Sequence, residues 1–512
     1  NLFSASSKDP GDRVAVTLQV WAWIFFALYS ACMLGLGYWG SRRVAQAEDY
    51  AVARGSYGPI TLALAFAATN ASGATFLGLP GLAYSHGVSI LLYAFSYPVG
   101  VYIGVLICLR VVSDSGNQFG SRSIPEYLGD RFDSDRIRII AAVMSLILFF
   151  YLAGQLVSGL VMFETMLGLP TGPALIITTL ILLLYVTLGG AHADILTDSV
   201  QGAVMVAIAI GVAVMFFAGF GLEGGLTEVM SRLTELDSQN TQLFNPAALI
   251  VATPWAIAAI VIAHIPMGML PHLGNKLWAL DSTESRRRFL LLAFCFAMIL
   301  PAVTLGGLLA RAHLGDGLLA VGSNQAIPQL FITVLPTALA AFLCIAVLCA
   351  VMSTADGLVV SSAQVFANDL YRRTFATKWS PNLTSEELDR RVLTISRWGT
   401  LIVLISSAAM AWALLDVNIA LLVWMGIGGI TSAFAGPLIL GSLWQGVTER
   451  GALLGMLAGF IVFGMLHAEI INADALASIG PNPFACATVG ALASIVITAA
   501  WSRGMPRLVR IG

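Results

Sequence analysis

Thirteen mostly apolar stretches recur along the chain, each near the length of about 20 residues that a helix needs to cross a bilayer. They run over 15–38, 58–81, 88–112, 137–165, 172–190, 196–222, 247–273, 288–311, 336–366, 395–416, 419–444, 451–471 and 483–502. In hydrocarbon every backbone N–H and C=O must find its partner inside the protein, so such a chain folds as a bundle of spanning helices. Composition closes off the other classes. Of 512 residues, 58% are hydrophobic and 11% charged, where soluble domains carry about 25% charged residues. The 26 Lys and Arg oppose 28 Asp and Glu, so no basic excess marks a nucleic-acid partner. All six cysteines fall in apolar stretches and read as small buried residues rather than a disulfide framework. The first stretch is too long for a signal-peptide core and reads as a true span.

Lys and Arg collect on the cytoplasmic side of membrane proteins. With the N-terminus outside, 22 of the 26 fall inside, in clusters such as Arg42–Arg43, Arg286–Arg288 and Arg372–Arg373. Lys276 and the tail residues Arg503, Arg507 and Arg510 belong to that inner set, leaving Lys8, Arg13, Arg232 and Arg311 outside. This sorting holds only for an odd number of spans. It predicts a multi-pass protein of the plasma (inner) membrane with a cytoplasmic C-terminus.

Two spans are interrupted. The second contains Ala67-Ala68-Thr69-Asn70-Ala71-Ser72-Gly73 and then Gly78-Leu79-Pro80-Gly81; the seventh contains His264-Ile265-Pro266-Met267-Gly268 and Pro271-His272. Proline removes a backbone donor, and Gly, Asn and Ser weaken helical continuity. Either break alone reads equally as a kink. The two lie five spans apart, so they cross in opposite senses, as in an inverted repeat, and paired interrupted helices point to the midplane site of a secondary transporter.

Polar groups at membrane depth are costly without partners or work. The ninth span holds Ser353, Thr354 and Asp356; the hydroxyls either coordinate an alkali cation as hard oxygen ligands or bond back to their own helix. Asp198, near the start of the sixth span, is a helix cap, a gate or a second cation site. Tyr151 and Gln155 face either solute or a neighbouring helix, and His264 either lines a pocket or satisfies a carbonyl. Gly451, Gly455 and Gly459 form a small-residue packing face within the protein. The chain has no HExxH, GxSxG or GxxxxGK[ST] run, which argues against a membrane enzyme or an ATP-driven pump.

The runs ASGATFLGLPG (71–81), LGGAHADILTDSVQG (188–202) and AVMSTADGLVVSSAQVFANDLYR (350–372), with Pro271-His272 and RGALLGMLAG (450–459), resemble the sodium/solute symporter family over nearly the whole chain. The resemblance implies an all-α membrane protein of about 13 spans with a LeuT-type five-plus-five inverted-repeat core. Residues 1–57 would be the outside segment and first span. Residues 58–444 would be the core, with repeats 58–222 and 247–444, and 445–512 the last two spans and tail. It implies a sodium site from the carbonyls of Ala68, Ala71 and Ala350 and the hydroxyls of Ser353 and Thr354, with Asp198 near the sodium path. Asn70, Ser72, Gly73 and Thr75 would line a solute cavity, with Tyr151, Gln155, His264 and Met267 beside them.

The implied function is Na+-coupled symport by alternating access, with Na+, a small solute and the lipid bilayer as partners and no nucleic acid; the oligomeric state is left open, a monomer included. Proline carriers have an acidic residue where this chain has Asn70, and aromatic ones at Ala263 and Met267, which argues against proline. Sugar carriers need a more polar cavity. Residues 324–372 look most like pantothenate and monocarboxylate carriers, so a carboxylate-bearing solute is expected: a monocarboxylate, pantothenate or an amino acid. The alternatives are an H+-coupled symporter and a transporter-like solute sensor.

Overall fold

The computed structural model describes residues 10–320, 322–380, 382–415, 419–471 and 482–502, and these form helices joined by turns and loops. Lys8, Arg503, Arg507 and Arg510 lie outside the described residues. Ten helices are long and apolar enough to cross a membrane, and a pair bent by 52°, Pro254–Met269 with Pro271–Ala279, makes an eleventh. The thirteen expected stretches are reached only by adding two shorter apolar helices, Pro59–Asn70 and Thr171–Leu184. The first is short because its helix breaks after Asn70. The second runs on through a kink at Gly190, whose φ of 51° and ψ of −134° belong to glycine. Because the helix resumes at once after that kink, the sixth span begins near residue 191 rather than 196.

Helix Thr337–Gln364 is the axis of the bundle, with every residue from Cys344 to Gln364 buried. It packs on Pro10–Ser41, Leu148–Leu167, the kinked helix Thr171–Ala218 and Ser385–Ala413. An apolar-to-small sequence without amphipathic period suits a helix surrounded by protein. Pro10–Ser41 lies at the edge and presents Val20, Leu28 and Trp39 outward. Gly451, Gly455 and Gly459 lie against Ser494, Thr498 and Ser502 of the last helix, so close that side chains there would clash. The expected packing face therefore joins two helices of one chain.

One side of the bundle is closed around the start of the second span. Tyr57 pairs with Leu280 in a parallel bridge, Tyr57 N–H donating to Ala279 O at 2.9 Å. The preceding short helix Ala47–Val52 donates from Ala47 N to Asp389 Oδ2 at 2.8 Å, and Arg122 reaches Asp389 at 3.3 Å. Two charges counted on the membrane's inner and outer faces are instead interior: Lys276 is 4% exposed and Arg311 5%. Arg311 pairs with Asp316. Lys276 belongs to the site below.

Candidate functional site

The helix Pro59–Asn70 starts after Gly58 with proline at its first turn and stops where Ala71 leaves helical geometry, at φ −89° and ψ 83°. A π-helical turn, Ala74–Gly78, carries the chain into Leu79–His86. Gly73 N–H leaves the ladder and donates to Gln155 Oε1 at 2.9 Å. A side chain at Gly73 would lie within 3.1 Å of Ser158 and Gln155, so glycine lets the break approach the helix behind it.

The break frees carbonyls, and the axial helix turns hydroxyls toward them. Ser353 Oγ lies 3.1 Å from Ala68 O and 3.4 Å from Ala350 O. Thr354 Oγ1 donates to Thr69 O at 2.9 Å and stands 3.4 Å from Ala350 O. Both hydroxyls are fully buried. The shorter contacts cross to the broken helix, so bonding back to their own helix is secondary here. Four expected residues, Ala68, Ala350, Ser353 and Thr354, thus meet in one cluster of neutral oxygens, a donor set that suits an alkali cation. Ala71 sits at the break itself, its N–H on Ala67 O at 2.9 Å.

On the other face of the break is a cavity whose lining includes Asn70, Ser72, Thr75, Tyr151, His264 and Met267. Both ends of the Asn70 amide and the Tyr151 hydroxyl are buried without a hydrogen-bond partner among the described residues. Such atoms are expensive unless a ligand pairs them. Gly73 and Gln155 do not line the cavity; they brace the break, as the bond between them shows. His264 takes both its roles, with Nδ1 2.6 Å from Ile260 O and its ring 4.9 Å from Trp424 and 5.5 Å from Tyr97. Tyr93, Tyr97 and Trp424 also line the cavity, with the aliphatic Ala74, Leu79, Val423 and Ile427, and none of these was among the expected residues. The signal was there: Tyr93 and Tyr97 are spaced i, i+4 and share one helix face.

Asp198 caps nothing, since its helix is already in its second turn there. Its Oδ2 accepts from Lys276 Nζ at 2.6 Å and lies 2.5 Å from Thr69 Oγ1. Lys276 also reaches Asp194 at 2.9 Å and Thr69 Oγ1 at 2.6 Å. Asp356 is adjacent, 3.2 Å from Thr197 Oγ1. Lys276 and Asp194 were not expected here. Nothing in the local sequence shows that a lysine at the end of the seventh span turns inward.

Two broken helices, a neutral oxygen cluster at one break and an aromatic cavity beside it define a secondary transporter of LeuT-like fold. The sodium:solute symporter family model matches residues 50–459, and the chain belongs to that family. It is 27% identical over 432 residues to the sodium/pantothenate symporter of Haemophilus influenzae, covering 83% of this chain and 86% of that one. It is 28% identical over 437 residues to the high-affinity proline transporter PutP of Bacillus subtilis, covering 83% and 88%. A solved Na+-coupled sialic acid symporter in a substrate-bound outward-open state has a TM-score of 0.74 at 19% identity, covering 95% of this chain and 98% of that one. That likeness carries the fold. As the member of a transporter family, the chain is a carrier and not an enzyme.

Proposed function

We propose that the protein couples inward Na+ movement to uptake of a small carboxylate-bearing solute. The observation that carries this is the position of the break. Ala68 and Thr69 offer their carbonyls to Ser353 and Thr354 on one side, while Asn70 and Ser72 face the cavity on the other. A cation held by the first pair orders the backbone that presents the second, so each ligand raises the affinity of the other. Residues 58–222 and 247–444 form the two repeats that rock around this point, with the bridged Tyr57–Leu280 side facing the cytoplasm and the N-terminus outside, in the plasma membrane.

The cavity lining carries no Asp, Glu, Lys or Arg among the described residues. A carboxylate would be received by the Asn70 amide, the Tyr151 hydroxyl and freed N–H groups at the break, with its apolar part against Tyr93, Tyr97 and Trp424. The pantothenate and proline for which relatives are named both bear a carboxylate; Asn70 and Met267 argue against proline, and residues 324–372 favour the pantothenate or monocarboxylate type. Thermal unfolding of the purified protein over a panel of small carboxylates, in NaCl and in choline chloride, tests this. A solute at about 100 times its dissociation constant stabilises by about 2.7 kcal/mol. The expected result is a shift that needs both Na+ and one solute; an equal shift in choline would overturn sodium coupling.

A further inference from the structure

We propose that Lys276 is the resident cation of a second, carboxylate-built cation position, so that this transporter binds one Na+ per cycle and no more. The inference rests on the sodium site proposed at Ser353 and Thr354.

Asp194, Asp198 and Asp356 place carboxylate oxygens within 4.8 Å of one another, all buried, a geometry able to hold a metal ion. Lys276 Nζ stands at this cluster, with its three protons matched to Asp194 Oδ2 at 2.9 Å, Asp198 Oδ2 at 2.6 Å and Thr69 Oγ1 at 2.6 Å. The remaining oxygens, Asp194 Oδ1 and Asp198 Oδ1, are buried without a hydrogen-bond partner among the described residues. The cluster therefore still holds spare hard oxygens that an ion would use if the ammonium were gone. Gly357 makes the arrangement possible. A side chain there would come within 3.0 Å of Thr69 Cγ2 and 3.6 Å of Lys276 Cε.

The two cation positions share a residue. Thr69 accepts at its carbonyl from Thr354 and at its hydroxyl from Lys276. A tethered ammonium at that distance supplies the charge a second ion would supply, yet it cannot dissociate with the solute. It offsets one carboxylate charge throughout the cycle and carries no charge across the membrane.

Equilibrium binding of radioactive Na+ to the purified full-length protein reads the count directly. The expected result is one Na+ in the wild type, lost in Ser353→Ala with Thr354→Ala. Lys276→Met is expected to bind two, one of which survives when Ser353→Ala and Thr354→Ala are added and vanishes when Asp198→Asn is added. Lys276→Met with Asp194→Asn removes opposite charges together and keeps the buried balance. It is also expected to gain one Na+, so the test stands even if the single variant fails to fold. Two Na+ in the wild type, or folded Lys276 variants with no gain over the wild type, would overturn the proposal. A wild type that binds one Na+ indifferent to Ser353 and Thr354 would instead overturn the sodium site itself, a separate result.

Discussion

Thr354 shows how a residue common in helices becomes a ligand. Its hydroxyl has an i−4 carbonyl at 3.4 Å within its own helix, but the better partner is Thr69 O at 2.9 Å on the broken helix. Only an unwound neighbour exposes a carbonyl there, so the hydroxyl and the break need each other. Replacing Ser353 and Thr354 together by Ala is expected to raise the Na+ concentration for half-maximal uptake at least tenfold, the effect of losing about 1.4 kcal/mol. Uptake measured against NaCl concentration checks it; an unchanged dependence would remove these hydroxyls from the site. Asn70→Ala should separate the two ligands. Its amide lines the cavity without a partner among the described residues, so solute affinity is expected to fall about tenfold or more, for a lost hydrogen bond of about 1.5 kcal/mol. Na+ binding without solute should stay near the wild-type value.

At the scale of elements, glycines decide where helices stop and how closely they approach. Gly190 turns the chain between the fifth and sixth spans at φ 51°, and a side chain there would collide with the Tyr50 backbone. Strain of this kind costs roughly 1–3 kcal/mol. Gly190→Ala is expected to lower the thermal unfolding midpoint by several degrees while leaving the Na+ dependence of the surviving uptake unchanged. The kink also aims the helix that carries Asp194 and Asp198 at Lys276, which is why two acidic residues near a span end become interior groups. Lys276 in turn rides on the second broken helix. Its side chain points to the core because the turns at 265–279 carry the backbone inward past Pro271.

For the whole molecule, the closed side is held by polar contacts that the rocking motion proposed above would have to break. Asp389 accepts from Ala47 N and pairs with Arg122, and it is partly exposed, so its loss should not endanger folding. Asp389→Ala is expected to shift the population toward the state open on that side. A cysteine at Ser361, on the cleft beside Lys276, should then react several-fold faster with a membrane-impermeant thiol reagent applied from the cytoplasm. Cys32 and Cys295, which the structure leaves exposed on helix faces rather than buried as their apolar stretches suggested, would be replaced first. An unchanged rate would place the gate elsewhere. Energetics give a further check. A tenfold Na+ gradient supplies about 1.4 kcal/mol, and 100 mV adds about 2.3 kcal/mol per charge moved. With one Na+ and a monoanion the moving charges cancel, so accumulation should be capped near tenfold and be insensitive to voltage. A net-neutral solute would reach roughly 500-fold under the same gradients. Uptake into vesicles at set membrane potentials distinguishes the two.

The joining of the Ala68 and Ala350 carbonyls to Ser353 and Thr354 was implied by the family resemblance, while hydropathy and the two breaks were enough to determine the class and the approximate number of spans. These are properties of local composition: a bilayer demands long apolar helices, and Pro, Gly, Asn and Ser mark where helicity fails. The cavity-lining role of Asn70, Ser72, Thr75, Tyr151, His264 and Met267 followed from the same breaks together with the family resemblance. Gly73 and Gln155 bond to each other behind the break, a detail out of reach of a sequence that shows that a residue adjoins a break but not which way it points. Tertiary structure alone decided the rest. It set Tyr93, Tyr97 and Trp424 around His264, and it moved Lys276 from an inner loop to the midst of Asp194, Asp198 and Asp356. A charge is legible in sequence, but its partner is not. Lys276 and Asp198 are 78 residues apart, and only the packing of a kinked helix against a broken one makes them neighbours.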